Sequence, residues 1–419
     1  MKPPPNDLSR RDFLKTAAAC GAGSVLAGAG RLALGQSAAT TRSAELAASQ
    51  PASDAAAQAV PRRPFGKTGL DVSILTLGGI FDITANQLVL KQALKWGIDY
   101  WDTAASYTGG KSELGIGMFF QAHPQDRKKV FLVTKSKDGP EMMDSLQKSL
   151  ERMKTDYVDM FFVHGVGGGE EVARRAEDWK AFAEQAKAAQ KTRFFGFSTH
   201  SNMASCLQAA SKLGFIDGIM LAYNFRTMNQ NDTQAAVEAA HEARIGLTAM
   251  KTQAKKARGG GEAELQLLDQ FTQKGFSVEQ AALKAVWEDQ RISTICSAMY
   301  NLPVLQSNYL AAIDKAQLTS ADRRALQEYA RGSYSQYCAG CSAICQQAVA
   351  GSPPIADVMR WLMYRDEYGM ADYARQLFAE LSPAARAALV HADYSTAERR
   401  CPQRMAIGEL MRQAGETLA

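Results

Sequence analysis

Four side chains in this sequence, Asp102, Tyr107, Lys135 and His164, are of the types that together could move a proton at a carbonyl or hydroxyl oxygen. A phenol alone is a poor acid, with a pKa of about 10. An ammonium group beside it, held in place by a carboxylate, would lower that pKa, and an imidazole could hydrogen-bond the substrate oxygen and orient it. Lys135, held by Asp102, is therefore expected to depress the Tyr107 phenol, with His164 as the orienting group. Taken singly, each has an ordinary structural role, as a helix cap, a rim residue or a hydrogen-bonded core group. The chemistry requires the four to meet.

Their setting suggests that they do. The stretch GIDYWDTAASYTGGKSE places Asp102 at the end of a short run rich in aromatic and β-branched residues, with Tyr107 five residues on and a glycine pair behind it. The run VFLVTK ends at Lys135 and DYVDMFFVHG at His164. Around them, apolar runs of strand length at 73–77, 100–102, 130–134, 158–163, 193–198, 218–222, 246–250 and 293–297 alternate with stretches of helical periodicity such as 142–153, 178–189, 235–243 and 278–289. Eight such units predict an α/β fold, a closed (β/α)8 TIM barrel, in which the loops leaving the strand C-termini form one functional mouth. An open doubly wound sheet is disfavoured because the first strand-to-helix turn, Leu77-Gly78-Gly79-Ile80, lacks the spaced glycines of a dinucleotide fingerprint. Gly110-Lys111-Ser112 imitates the end of a phosphate loop, but Ala105 stands where the first glycine is needed.

The motifs GIDYWDTAASY, SLERMKTDYVDMFFVH and FFGFSTHSN resemble those of the aldo-keto reductase family over about residues 62–308. The resemblance implies a (β/α)8 barrel and a catalytic tetrad at Asp102, Tyr107, Lys135 and His164. It also implies a nicotinamide cofactor, NAD or NADP, exchanging hydride with a small-molecule carbonyl or alcohol substrate while Tyr107 exchanges the proton. By the same likeness Ser198, Asn224 and Lys251 would contact the nicotinamide and its phosphates, and Gln306 and Asn308 the adenosine end. The family's basic residues for a 2′-phosphate are missing after the eighth strand, in Cys296-Ser297-Ala298-Met299-Tyr300-Asn301, so NAD and NADP both stay open. Lys255, Lys256 and Arg258 before a triple glycine are either a loop closing over a pyrophosphate or a solvated loop.

The ends of the chain carry separate signals. SRRDFLK at residues 9–15, followed by an Ala/Gly-rich apolar run, has the form of a twin-arginine signal peptide over residues 1–36, implying the twin-arginine export machinery as a partner and a periplasmic destination. The apolar run is too short and glycine-rich for a permanent membrane span. Residues 37–61 read as a disordered linker, 62–318 as the barrel and 319–419 as a helical appendage with helices near 355–364 and 370–381. The leader holds five basic and two acidic residues, so its removal lowers the formal charge from +5 to +2, which implies no nucleic-acid partner.

The appendage contains YCAGCSAIC and a distant Cys401-Pro402. Cys338, Cys341, Cys345 and Cys401 could supply four thiolates to a [4Fe-4S] cluster, in which case an electron-transfer partner follows; two disulfides or a zinc site are the other readings. The tail resembles the ferredoxin-like extension of one aldo-keto reductase branch, with three residues rather than two between the second and third cysteines. Cys206 and Cys296 read as ordinary buried thiols. Against the enzyme stands a second function, a binding or electron-transfer module that keeps the pocket without turning over nicotinamide.

Overall fold

The computed structural model describes residues 58–254, 267 and 269–419. The leader, most of the linker and the Lys255, Lys256, Arg258 loop lie outside the described residues. Eight parallel strands close into a barrel: β3 (Leu75–Gly78), β4 (Tyr100–Asp102), β5 (Phe131–Ser136), β6 (Val158–Val163), β7 (Thr192–Thr199), β8 (Gly218–Ala222), β9 (Gly246–Met250) and β10 (Thr294–Ala298), which pairs back onto β3. The fold class expected from the alternating pattern is the one observed. The run expected at 73–77 divides, because Asp71–Ser73 (β2) pairs antiparallel with Arg62–Pro64 (β1) before the chain enters β3.

Parallel strands covered on both faces read as continuous apolar runs, and here each face has its own cluster. Inside the barrel Phe65, Val72, Tyr100, Phe131, Val133, Met160, Phe162, Met220 and Met250 pack together. Phe65, from the turn between β1 and β2, is fully buried and plugs the lower end, touching the places where Gly218 and Gly246 leave room for its ring. Outside, Trp101, Phe161, Phe195 and Leu247 meet the surrounding helices. The helix Gly169–Ala188 starts nine residues before the expected 178, since Gly168 and Gly169 only open it and Glu170 and Glu171 suit its positive N-terminal end.

Beyond the helix Leu302–Ile313 the chain is helical, including Ser320–Gly332, Ile355–Asp366, Ala371–Ala379, Pro383–His391, Ser395–Arg400 and Ile407–Leu418. The first of these packs through Leu326 and Tyr329 against Phe225 and Phe271, while the later helices build a core around Trp361, Leu362, Phe378 and Met411, which also takes in Ile80 from the loop after β3. The appendage is fastened to the strand C-termini. Asn202 Nδ2 donates to Ser342 Oγ at 2.8 Å, and its backbone N–H donates to the Gly340 carbonyl at 2.8 Å. Gly340, at φ +75°, lies so close to His200 that a Cβ would come within 2.2 Å of its carbonyl oxygen. Among the described residues no helix is long and apolar enough to cross a membrane.

Candidate active site

Strand parity carries the side chains to the mouth. Successive residues of a strand point to opposite faces. Tyr100, Phe131, Val133 and Phe162 fill the lumen, so the next in-phase positions, Asp102 on β4, Lys135 on β5 and His164 just past β6, rise to its rim. Tyr107 comes from the loop after β4, where Thr108, Gly109 and Gly110 take left-handed backbone (φ 48°, 64° and 87°) and turn the chain into the helix Lys111–Ala122. That helix is pinned by Glu113, fully buried, which accepts from Thr134 Oγ1 and from Arg152 Nε, both at 2.6 Å.

The four sequence candidates converge. The Lys135 ammonium lies 2.6 and 2.7 Å from the two Asp102 carboxylate oxygens, donates to the Thr103 carbonyl at 2.9 Å, and reaches the Tyr107 Oη at 3.3 Å. The Tyr107 and His164 rings meet edge to face, with centroids 5.7 Å apart. Lys135 is 1% exposed and Asp102 2%. Burial pushes the Asp102 carboxyl up, and Lys135 with the Cys296 thiol counters it.

One expectation is corrected. Tyr107 is not depressed by Lys135: burial, with the Asp102 carboxylate and the Tyr364 and Tyr373 phenols nearby, pushes it well above its ordinary value. The negative charge of Asp102 offsets that of the ammonium, so Tyr107 stays a protonated phenol, suited to donate. Burial, with Lys135 adding to it, drives the His164 pKa down to about 3, so the imidazole is neutral. The sign for stability follows. The unfolded histidine binds a proton near pH 6.5 and the folded one refuses it until about 3, so stability falls as pH drops below 6.5. Urea midpoints at pH 7 and pH 5 should differ less in His164→Gln than in the parent; His200, which burial also lowers, keeps part of the slope.

Asp102 and Tyr107 open onto a cleft of about 730 Å³, its open part included, over the ends of β9 and β10, lined also by Lys251, Thr252, Gln253, Ser297 and Tyr364. The expected cofactor positions divide. Lys251 lines this cleft, but its Nζ lies over the rings of Tyr364 and Tyr368, 4.5 and 4.9 Å from their centroids. Ser198 accepts from Gly165 N at 3.1 Å. Asn224 is fully buried, and its Nδ2 donates to Tyr337 Oη at 2.7 Å and to the Lys251 carbonyl at 3.2 Å. Asn308 stands behind the cleft wall, bonded to Ser297 Oγ at 3.0 Å and Gln253 Nε2 at 3.1 Å, while Gln306 is half-buried. Thr252 Oγ1 is buried without a hydrogen-bond partner among the described residues, an orphan that a ligand's acceptor or donor would satisfy.

Cys338, Cys341, Cys345 and Cys401 line one small pocket with Ile344, Ile355, Met359 and Ile407. None is in a disulfide. Among the described residues no three His, Cys, Asp or Glu side chains are grouped to hold a metal ion. Burial and neighbouring thiols push Cys338 up to about 12 and Cys345 up to about 11. The Cys338 wall is shared with a chamber that extends to His200, Lys251 and Arg360.

Sequence reasoning missed several residues. Cys296 is not an ordinary core thiol, for it lines the cleft and faces Asp102. Parity would have found it, two residues on from Thr294, and likewise His200, two on from Ser198. No periodic signal marks Tyr337, Arg360 or Tyr364, which reach the mouth from the appendage.

Comparison with known proteins agrees with this geometry. The TAT (twin-arginine translocation) pathway signal sequence matches residues 7–27. "Uncharacterized oxidoreductase YrpG" of Bacillus subtilis is 28% identical over 225 residues, which are 46% of this chain and 67% of that protein. L-galactose dehydrogenase of Arabidopsis thaliana is 30% identical over 152 residues, 32% of this chain and 47% of that one. The chain thus spans about half to two thirds of the length of these relatives. In fold, aldo-keto reductase AKR11C1 from Bacillus halodurans (holo form) superposes with a TM-score of 0.53 at 21% identity, covering 64% of this chain and 96% of that one. The Aldo/keto reductase family profile matches residues 78–330, more than half of the sequence, and the chain belongs to that family.

Proposed function

We propose that the protein is exported by the twin-arginine pathway to the periplasm and acts there as an NAD(P)-dependent oxidoreductase on a small carbonyl or alcohol substrate. The observation that carries this reading is the Lys135 ammonium, bonded at once to the Asp102 carboxylate and within 3.3 Å of the Tyr107 phenol. A nicotinamide, when bound, supplies or accepts the hydride. Lys251, Gln253, Ser297 and the orphan hydroxyl of Thr252, which line the cleft, would hold it there. In the reduction direction the Tyr107 phenol donates its proton to the carbonyl oxygen, and neutral His164 helps fix that oxygen. Lys135 stabilises the phenolate that remains, and Asp102 fixes Lys135. Turnover of aldehydes with reduced NAD or NADP, lost in Tyr107→Phe, tests the assignment.

We further propose that the four appendage cysteines hold a [4Fe-4S] cluster that passes electrons to a partner. The support is chemical. Four thiols line one small, largely apolar pocket and could together supply the four thiolates of a cluster. Protein purified without oxygen should contain about four iron and four sulfide per chain, falling to background in a Cys338→Ser, Cys401→Ser variant. Iron at background in the parent would reject the cluster.

One observation favours a second reading, a binding or electron-transfer module without nicotinamide turnover. Tyr337 takes the Asn224 amide and Tyr364 faces Lys251, so appendage side chains meet two positions expected to contact the cofactor. Turnover assays with reduced NAD and NADP over a range of aldehydes separate the two readings, since the module would oxidise neither.

A further inference from the structure

Where the appendage meets the loop after β8 there is a cationic pocket that the proposed chemistry does not use. Arg226, two residues past Asn224, shares a surface pocket of about 690 Å³, its open part included, with Ala330, Arg331, Tyr334, Pro402 and Gln403. Its guanidinium lies over three rings, 5.1 Å from the Phe225 centroid, 4.8 Å from that of Tyr329 and 5.4 Å from that of Tyr337. Aromatic faces hold a cation in place without neutralising it. Nη1 donates to Ser333 Oγ at 2.8 Å, beside the C-terminus of the helix Ser320–Gly332, and the negative end of that helix accounts for part of the placement. Nε and Nη2 are buried with no hydrogen-bond partner among the described residues. Burial lowers the Arg226 pKa, and the Tyr329 and Tyr337 phenols counter it only in part. Arg331 is exposed at the rim, and Arg404 lies over the Tyr334 ring at 6.0 Å. Among the described residues none of these three arginines pairs with a carboxylate.

We propose that this pocket binds a phosphate-type dianion, either the free ion or a monoester, through Arg226 and Arg331. A largely buried cation without a counter-ion is unfavourable, and a bound anion relieves that cost. The kind of cation narrows the anion. All three are arginines, whose planar forks match pairs of oxygens. A carboxylate presents one such pair and satisfies one fork, whereas the tetrahedral oxygens of a phosphate present several and can take two forks at once. The Tyr334 phenol and the Gln403 amide, which line the same pocket, add neutral donors for a remaining oxygen. The ligand is not a nicotinamide held in the catalytic cleft, because the two linings share no residue. The pocket nevertheless borders two other features. Pro402 and Gln403 also line the cysteine pocket beside Cys401, and Tyr337, whose ring faces Arg226, accepts from Asn224 Nδ2 at 2.7 Å.

The test is calorimetric titration of the full chain with inorganic phosphate at pH 8, where the ion is a dianion. Saturable binding is expected, weakened about tenfold or more in Arg226→Gln and in Arg331→Glu. Arg375→Gln, which alters an exposed arginine paired with Asp372 elsewhere on the appendage, should stay within about twofold of the parent. Arg331 is exposed, so Arg331→Glu gives a result even if Arg226→Gln fails to fold. Malonate, a dianion built from carboxylates, should bind about tenfold more weakly than phosphate. Glycerol 3-phosphate tells the two sources apart: tighter binding than the free ion supports a monoester as the ligand, and equal binding supports free phosphate. No saturation below about 10 mM phosphate would overturn the proposal. So would phosphate binding unchanged in Arg331→Glu, which would place the ion elsewhere, or malonate binding as tightly as phosphate, which would remove the case for a tetrahedral anion.

Discussion

Replacing Tyr107 with Phe is expected to lower kcat about 10³-fold while leaving the melting temperature within a degree or two. The hydroxyl removed makes one long contact, 3.3 Å to Lys135, so little stability is lost with it. What is lost, on the proposed mechanism, is the proton donor. Tyr107 is half-buried at the mouth, beside the Asp102 carboxylate, and stays protonated through the neutral range. Without it the oxygen that gains charge in the transition state has only His164 and the Lys135 field, and water must deliver the proton. Because the phenol matters most as charge develops, kcat and kcat/KM should fall together with KM little moved. The raised pKa adds a pH signature. The parent's kcat for reduction should show no alkaline fall below about pH 10, since Tyr107 keeps its proton there, while the reverse oxidation, which needs the phenolate, should speed up as pH rises. Stopped-flow and steady-state rates for both variants check these points.

Lys135→Met should cost both activity and fold. Lys135 and Asp102 are 1% and 2% exposed, so removing the ammonium strands a carboxylate inside the barrel mouth. Breaking one side of a buried pair costs about 3–5 kcal/mol. The pH dependence identifies the cause. The Asp102 carboxyl is already raised by burial, and without Lys135 it rises further. A carboxyl whose folded pKa lies above the unfolded value gives stability that is complete below the unfolded pKa and is lost as pH rises through the folded one. The variant should therefore be most stable in acid and weaken toward neutrality. Lys135→Met with Asp102→Asn should regain most of the stability and none of the rate, a non-additivity expected of groups in contact. Urea midpoints from pH 4 to pH 8 for the single and double variants measure this; a single variant no less stable at pH 8 than at pH 4 would show that Asp102 bears no buried charge.

The residues that were legible in the sequence share one physical property: strand geometry fixes their direction. Asp102, Lys135 and His164 end runs whose alternate residues fill the lumen, and a closed parallel barrel brings every strand C-terminus to one face. Cys296 and His200 obey the same parity, and strand phase rather than residue type is what marks them. The appendage follows another logic. Ile355, Ala356, Val358, Met359, Trp361, Leu362 and Tyr364 are all buried in one helix, which is apolar on too many sides for its periodicity to choose the face that meets the barrel. Hence Tyr364 and Arg360 could not be placed at the mouth from spacing, nor could Tyr337 be paired with Asn224. The direction of the Tyr107 shift was also out of reach, since it depends on burial and on the balance of Asp102 against Lys135, which the sequence places together without fixing distances. The spacing of the four appendage cysteines groups them, and the structure lines one pocket with all four.

The central claim, that Tyr107 and Lys135 serve hydride exchange at a carbonyl carbon, is tested most directly by isotope transfer. Protein is mixed with an aldehyde and a reduced nicotinamide bearing deuterium at the transferable position, and the alcohol is examined by mass spectrometry and NMR. One deuterium is expected on the new carbinol carbon, appearing about 10³-fold more slowly in Tyr107→Phe. Alcohol formed without deuterium at that carbon, or at equal rates in the two proteins, would contradict it.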